Sequence, residues 1–369
     1  MLKKIIKNIS NIPGWTTSRK IIVIESDDWG SIRMPSLSIF KELSSNGLDL
    51  ASGDARRYNE NDTLASASDL NALFETLMAF KDFKGNFPVF TAVSLVANPD
   101  FKKIKENNFQ QYYWEPFTET LEKYGKADAY PLWLEGIKNK LFVPQFHGRE
   151  HLNVAPWMRA LQSDDKQALL AFDHGLWGYN NKHPNGLMFQ AAFDLEVVLD
   201  LKIQEEAITS GLIQFEKLFG YKASFFVPPN GPFNNSLEQV AADGGIKYMS
   251  TSKMQSEVLG QGKTRKRIHY LGQKNQHNQR YITRNCFFEP SQVGKNWEST
   301  CIADIENAFK WNKPAVISSH RVNYIGGLNE KNRKQGLEQL SSLLATILKK
   351  WPEVEFMTSS ELGDLIAER

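Results

Sequence analysis

Cysteine is nearly missing from this chain: Cys286 and Cys301 are the two present. Two are too few for a disulfide framework, and their spacing is not that of a zinc-binding pair, so buried thiols in a reducing compartment are the expectation. No stretch approaches the ~18 consecutive apolar residues of a membrane-spanning helix. Lys3, Lys4 and Lys7 flank an apolar run too short for a signal-peptide core, and cytoplasm is the expected compartment. A dominant sign of charge is missing as well. The 44 Lys and Arg against 42 Asp and Glu leave a formal +2 with acids and bases interspersed, which gives no broad field for nucleic acid or an anionic membrane. One basic cluster, Lys263 to Arg267 with His269 following, departs from that mixing and reads as a solvated loop. No internal repeat or low-complexity tract points to an array.

What is present is a long alternation of apolar runs with helical spacing. At 369 residues the chain can bury a large core, as one barrel-sized domain with insertions or as two domains. Strands are expected at 21–24, 88–95, 141–146, 223–227, 247–250, 281–290, 314–319 and 354–358. Helices are expected at Leu37–Ser45, at Asp69–Phe80 with Ser68 or Asp69 as cap, and at Leu132–Lys140. Further ones fall at Phe193–Phe219 stopped by Gly220, Ser236–Gly244, Ile302–Trp311, Gly336–Lys350 and from Ser360. Residues 49–63 read as a loop near the site. Two aromatic-rich stretches, about 99–131 and 152–190, read as insertions, the first either a lid over a substrate or a packed excursion. Alternating strands and helices imply a parallel sheet, closed or open.

The chemistry-bearing residues fall where these strands end. Ile21–Ile24 runs into Glu25-Ser26-Asp27-Asp28-Trp29-Gly30. Adjacent aspartates repel each other and are costly to dehydrate; they are tolerable where one binds a cation and the other acts as a base or is held by an arginine. The plain alternative is a solvated turn with Gly30 at positive φ. The third strand runs into His147-Gly148-Arg149-Glu150-His151, two imidazoles that can reach one metal. With the aspartates they make a candidate Asp-His-His site, three ligands with room for water. His174 and His183 lie in the second insertion without a strand context and are more simply incidental. The fourth strand ends in Pro228-Pro229-Asn230-Gly231, and the strand at 314–319 delivers His320-Arg321.

Taken in order, these motifs resemble the polysaccharide deacetylases of the NodB-homology type, carbohydrate esterase family 4, over roughly residues 20–365. The family's T-F-D-D-G is matched by Glu25 to Gly30 with an added tryptophan. Its H-S/T-x-x-H is matched by His147 and His151, its F-R-P-P-Y-G by Phe226 to Gly231, and its L-x-H by Ile317 to His320. The resemblance implies a distorted (β/α) barrel of about seven strands, one domain with the two insertions. It implies a metal-dependent hydrolase removing acetyl groups from N-acetylated sugars, with a divalent metal, zinc in most members, held by Asp28, His147 and His151. Asp27 is then the general base toward the attacking water, and His320 the acid for the departing amine. Asn230, Pro229, Trp29 and Arg321 are the implied oxyanion and substrate contacts. A carbohydrate is the expected partner, with no nucleic acid and no membrane span.

Several departures qualify the match. The third motif's arginine is Val227, its aromatic residue is Asn230, and Glu25 stands in place of threonine. Arg284 is the first candidate to hold Asp27 instead, with Arg149 behind it, and the fourth motif's aspartate and tryptophan have no counterpart. Two other readings stay open: a small or cyclic amide C–N hydrolase of the same barrel, and a catalytically silent glycan-binding module, which the missing arginine favours.

Overall fold

The computed structural model describes Asn8 and residues 10–368; Lys3, Lys4 and Lys7 lie outside the described residues. Its strands are β1 Ile21–Trp29, β2 Phe90–Leu95, β3 Ala97–Pro99, β4 Trp114–Pro116, β5 Phe142–Gly148, β6 Phe225–Phe226, β7 Tyr248–Ser250, β8 Met254–Gly260, β9 Lys263–Ile268, β10 Arg280–Ile282, β11 Cys286–Phe287, β12 Ala315–His320 and β13 Glu355–Met357. Nine of them form one parallel sheet in the order β10-β7-β6-β5-β2-β1-β12-β11, with β13 beside the start of β1. It curls into a distorted half-barrel with helices outside, the (β/α) architecture expected from the sequence.

The central strands are apolar throughout because both faces are covered. Every residue of β1 and β2 is buried. β1 pairs with β12 from Ile22 to Asp27, and on its other side first with β13 and then with β2. Helices such as Ala67–Met78, Ala129–Lys138 and Leu201–Phe219 bury their apolar stripes against this sheet and each other.

The two edges of the sheet, β10 and β11, are consecutive in the chain and joined only by Thr283-Arg284-Asn285. The two edges are therefore linked here by covalent chain rather than by a strand ladder. The sequence stretch 281–290, expected as one strand, is two because β10 follows β7 while β11 follows β12. This split also lifts the strand count above the expected seven.

Local differences from the sequence reading have local causes. The helix expected from Asp69 begins at Ala67, capped by Ser66, whose side chain accepts from the Asp69 amide while Asp69 returns the bond. The helix expected from Phe193 begins at Leu201, because the Asp194 carbonyl is taken by Asn153 and Gln204 side chains. Gly220 ends it at φ 77°. Residues 49–63 contain a helix, Ala55–Asn61. The basic cluster is not a loop: β8 and β9 form an antiparallel hairpin.

The aromatic stretch after β3 packs rather than covers the site. Phe117 is fully buried and lies against Trp133 and Phe219. Tyr112 and Tyr113 join Trp157, Phe172 and Trp177 in a second apolar cluster shared with residues 34–50. No helix among the described residues is long and apolar enough to cross a membrane.

Candidate active site

The strand carboxyl ends open on a cleft of about 470 Å³, and Asp27, Asp28, His147, His151, Arg284 and His320 all line it. Its position on that face is the one barrels and open α/β sheets use for ligands. β1 does not stop before the aspartates but carries them. Its register with β2 slips between Ser26 and Trp29, and Asp28 sits at φ 76°. This bulge turns two successive carboxylates toward one cleft, where a regular strand would send them to opposite faces. Gly30 follows at φ 86°, where an added Cβ would lie 2.2 Å from the Leu95 carbonyl oxygen.

The bulge also corrects one expectation. Trp29 is buried in the core, edge-on to Trp133 and Phe142, with its indole N–H donated to Ser26 Oγ at 3.0 Å, and it does not face the cleft. Arg321 is likewise directed elsewhere. It is fully buried, paired with Asp62 at 2.9 Å and donating to the Ser31 carbonyl, so it ties the 31–62 segment to the end of β12. In the proline turn, Pro228 and Asn230 line the cleft while Pro229 is not part of its wall. A Gly231 amide to Pro228 carbonyl bond closes that turn, with Asn230 at φ 56°.

Asp28, His147 and His151 each bring a ligand atom to within 4.8 Å of the others. Asp28 Oδ1 is 3.4 Å from His147 Nε2 and 3.2 Å from His151 Nε2. Two ligand atoms at ordinary zinc distances from one tetrahedral centre stand ~3.3 Å apart, so the donor set fits a small divalent ion. The tautomer of His147 is fixed, because its Nδ1–H donates to the Val227 carbonyl at 2.6 Å and leaves Nε2 bare. Val227 thus meets the site through its backbone carbonyl. His151 stacks on Trp177 at 26° between planes, and its Nδ1 is buried with no partner among the described residues. Burial pushes the His151 imidazole down, favouring the neutral ligand form, although Asp28 opposes it. Burial would raise the Asp28 carboxyl, but its contacts with the His147 and His151 rings hold it well below the usual range.

Asp27 faces a guanidinium. Arg284 donates Nη1 to Oδ2 and Nη2 to Oδ1, both at 2.6 Å, a bidentate clamp. Its Nε donates to Glu25 Oε2 at 2.6 Å, and Glu25 Oε1 accepts from Ser359 at 2.8 Å. Glu25, unexplained in the sequence, is therefore the second anion of a Glu25–Arg284–Asp27 triad that orients Arg284. Burial alone would raise Asp27; the Arg284 charge and hydrogen bonds outweigh it and hold the carboxyl below its ordinary value. Glu25, deeper still, is pushed up by burial against the same arginine. Arg149, the second candidate, pairs with Glu150 and Glu206.

His320 lies across from Asp27, its Nε2 3.8 Å from Oδ2, while its Nδ1 donates to Glu289 Oε1 at 2.5 Å. Burial works against the imidazolium, but Glu289 more than offsets it, and the pKa is pushed up to about 9. Glu289 is held in turn by Arg57 at 2.8 Å and Asn323 at 2.9 Å. Tyr58 meets the His320 ring edge-on. Sequence reasoning missed Glu289, Arg57 and Tyr58. The sole signal for Glu289 was a carboxylate ending the strand beside the His320 strand. His174 and His183 pair with Glu42 and Glu196, away from the cleft.

No protein-family model matches the chain, and no curated protein matches it. Solved structures are similar in fold. A 4-alpha-glucanotransferase from Thermococcus litoralis shares 12% identity with a TM-score of 0.46, over 93% of this chain and 40% of that one. A probable polysaccharide deacetylase from Pseudomonas aeruginosa shares 11% identity with a TM-score of 0.44, over 94% and 90% of the two chains. A de-N-acetylase from Aggregatibacter actinomycetemcomitans shares 16% identity with a TM-score of 0.32, over 72% and 93%. Polysaccharide deacetylases from other organisms are also among the similar structures. This chain spans 40% of the glucanotransferase's length.

Proposed function

We propose that the chain is a metal-dependent hydrolase that removes the acetyl group from an N-acetylated sugar. One observation carries this reading. A single cleft at the strand ends holds three side chains able to ligate a metal, a carboxylate clamped by arginine and an imidazole clamped by a carboxylate. A binding site for sugar alone needs no such division into base and acid.

Asp28, His147 and His151 would hold the ion, zinc by the two-imidazole, one-carboxylate donor set. When bound, it supplies positive charge for the acetyl oxygen and lowers the pKa of the attacking water toward ~7. Asp27 takes the proton of that water. Arg284 uses one lone pair on each Asp27 oxygen, which leaves the others free to accept. The backbone amide of Asn230, in the turn that lines the cleft, is the proposed donor to the oxyanion. His320, carrying a proton at neutral pH, gives it from Nε2 to the nitrogen as the C–N bond breaks. Acetate and a free sugar amine leave.

The reading as a silent binding module rested on the missing third-motif arginine. The Arg284 clamp on Asp27 removes that support. Cytoplasm remains the proposed compartment, on the scarcity of cysteine. The test is acetate release from a panel of N-acetylated mono- and oligosaccharides before and after chelation. Chelator-sensitive acetate is expected; a fully metal-loaded protein releasing no hydrolysis product from any member would overturn the assignment.

A further inference from the structure

His151 and His320 are joined by a run of stacked groups that belongs neither to the metal ligands nor to the acid and base. His151 stacks on Trp177 with centroids 5.9 Å apart. The Arg33 guanidinium lies over Trp177 at 5.6 Å and over Tyr58 at 5.2 Å. Tyr58 in turn meets His320 at 6.0 Å. Both ends of the run line the cleft, so it spans from a proposed metal ligand to the proposed acid, with Arg33 as its middle member. The 31–62 segment supplies Arg33 and Tyr58. The second insertion supplies Trp177, whose indole N–H is fixed on the Ile32 carbonyl at 3.0 Å.

Arg33 differs from the other arginines about the site. Arg57, Arg149, Arg284 and Arg321 each hold a carboxylate at 2.6–2.9 Å. Arg33 makes no ion pair or hydrogen bond through its guanidinium among the described residues. Asp62, whose carboxyl feels the Arg33 charge, gives its two oxygens to Arg321, at 3.0 and 2.9 Å. What Arg33 lacks is therefore acceptors more than a nearby counter-charge. Its Nε is buried without an acceptor and is backed by Gly178, where an added Cβ would lie 3.5 Å away. In this half-buried side chain the two Nη groups are the donors left for a ligand. Stacking between two rings accounts for a guanidinium at this place. It does not account for a fork that ends without acceptors midway between a metal ligand and an acid.

We propose that Arg33 is a substrate-binding residue, whose two Nη groups donate to neighbouring hydroxyl oxygens of the acetylated sugar while the acetamide lies between the metal ligands and His320. This deepens the deacetylase reading and rests on it for where the acetamide lies. A guanidinium presents two parallel donors, and adjacent ring hydroxyls present two acceptors, so this contact selects a hydroxyl pattern. The selection is read out by binding and needs no turnover.

The experiment is a binding titration followed by ligand NMR on zinc-loaded Asp27→Asn protein, in which turnover is blocked, with and without Arg33→Met. Methionine keeps an unbranched stem between the two rings and removes every donor. The probes are the methyl glycosides of N-acetylglucosamine, N-acetylgalactosamine and N-acetylmannosamine, and then the 3-deoxy, 4-deoxy and 6-deoxy analogues of the tightest-bound of them. With Arg33 present, removal of at least one hydroxyl should weaken binding about tenfold, the usual worth of a hydrogen bond from a charged group. Arg33→Met should weaken the parent sugar by a similar factor and should not weaken that deoxy analogue further, because both changes delete one interaction. Zinc content, measured on the same samples, should not change. Parent sugar bound as tightly by Arg33→Met overturns the proposal. So does a loss equal for the parent and every analogue, with or without loss of zinc, which is what a merely packed wall would give. Absence of binding by all three parent sugars overturns it too. Such coupling without acetate release from any of these sugars by the wild type would leave this inference standing and sink the deacetylase reading; acetate release without coupling would do the reverse.

Discussion

Arg284 holds Asp27 by two 2.6 Å hydrogen bonds across 257 residues of chain, and it does so from the three-residue link that joins the two edges of the sheet. From that link the Arg284 side chain reaches both Glu25 and Asp27.

Removing the guanidinium strands two buried carboxylates. Arg284→Ala should cost about 3–5 kcal/mol of stability at neutral pH, the loss expected when one member of a buried pair is deleted. Asp27 is held below its unfolded value, so its share of that stability exists above the unfolded pKa and fades as pH falls through the folded one. Urea unfolding at pH 7 and well below the ordinary aspartate value of about 3.9 should show the variant's deficit shrinking in acid. A pH-independent deficit would mean that the clamp is not the cause. In Arg284→Lys the fork is lost but a charge stays, and the acid limb of the rate profile should move upward.

Glu289 sets the other limb. His320 is pushed up to about 9 and acts in its protonated form, so activity should persist below that pH and fall as pH rises through it. Glu289→Gln removes the charge that raises His320, and its pKa should drop toward the ordinary ~6.5. The alkaline limb of kcat/KM should move down accordingly, with acid-side activity kept. An unmoved alkaline limb would assign that limb to another group.

The sequence shows this site unevenly, for physical reasons. Asp27, Asp28, His147, His151 and His320 are legible because each ends an apolar run, and burial on both faces makes such runs conspicuous. Trp29 and Arg321 mislead because adjacency to a motif does not fix direction. The bulge at Asp28 turns Trp29 into the core, and the Asp62 pair draws Arg321 away. Glu289 is nearly silent, since its contact with His320 joins neighbouring strands 31 residues apart. The β8–β9 hairpin escaped notice because an exposed strand such as Lys263–Ile268 needs no apolar alternation, and the short helix Ala55–Asn61 is polar for the same reason.

Gly30 is the backbone condition for the bulge. Gly30→Ala places a methyl 2.2 Å from the Leu95 carbonyl at φ 86°, so it should destabilise by more than the ~1 kcal/mol typical of a tolerated change. Thermal unfolding checks this, and an unchanged midpoint would show that the strand end relaxes freely.

His147→Ala with His151→Ala should abolish bound metal. Adding zinc to the stripped wild type should raise its thermal midpoint, because an ion that binds only the folded chain stabilises it, and the double variant should show no such rise. Metal retained stoichiometrically by the double variant would refute the ligand set.

The most direct test compares acetate release by metal-loaded wild type and Asp27→Asn, with metal content measured on the same samples. Asparagine keeps the shape and cannot take the proton. The account predicts unchanged metal content and a kcat lower by about 10²–10⁴-fold, the usual contribution of a general base. Asp27→Asn protein that keeps both its metal and near wild-type turnover would contradict it.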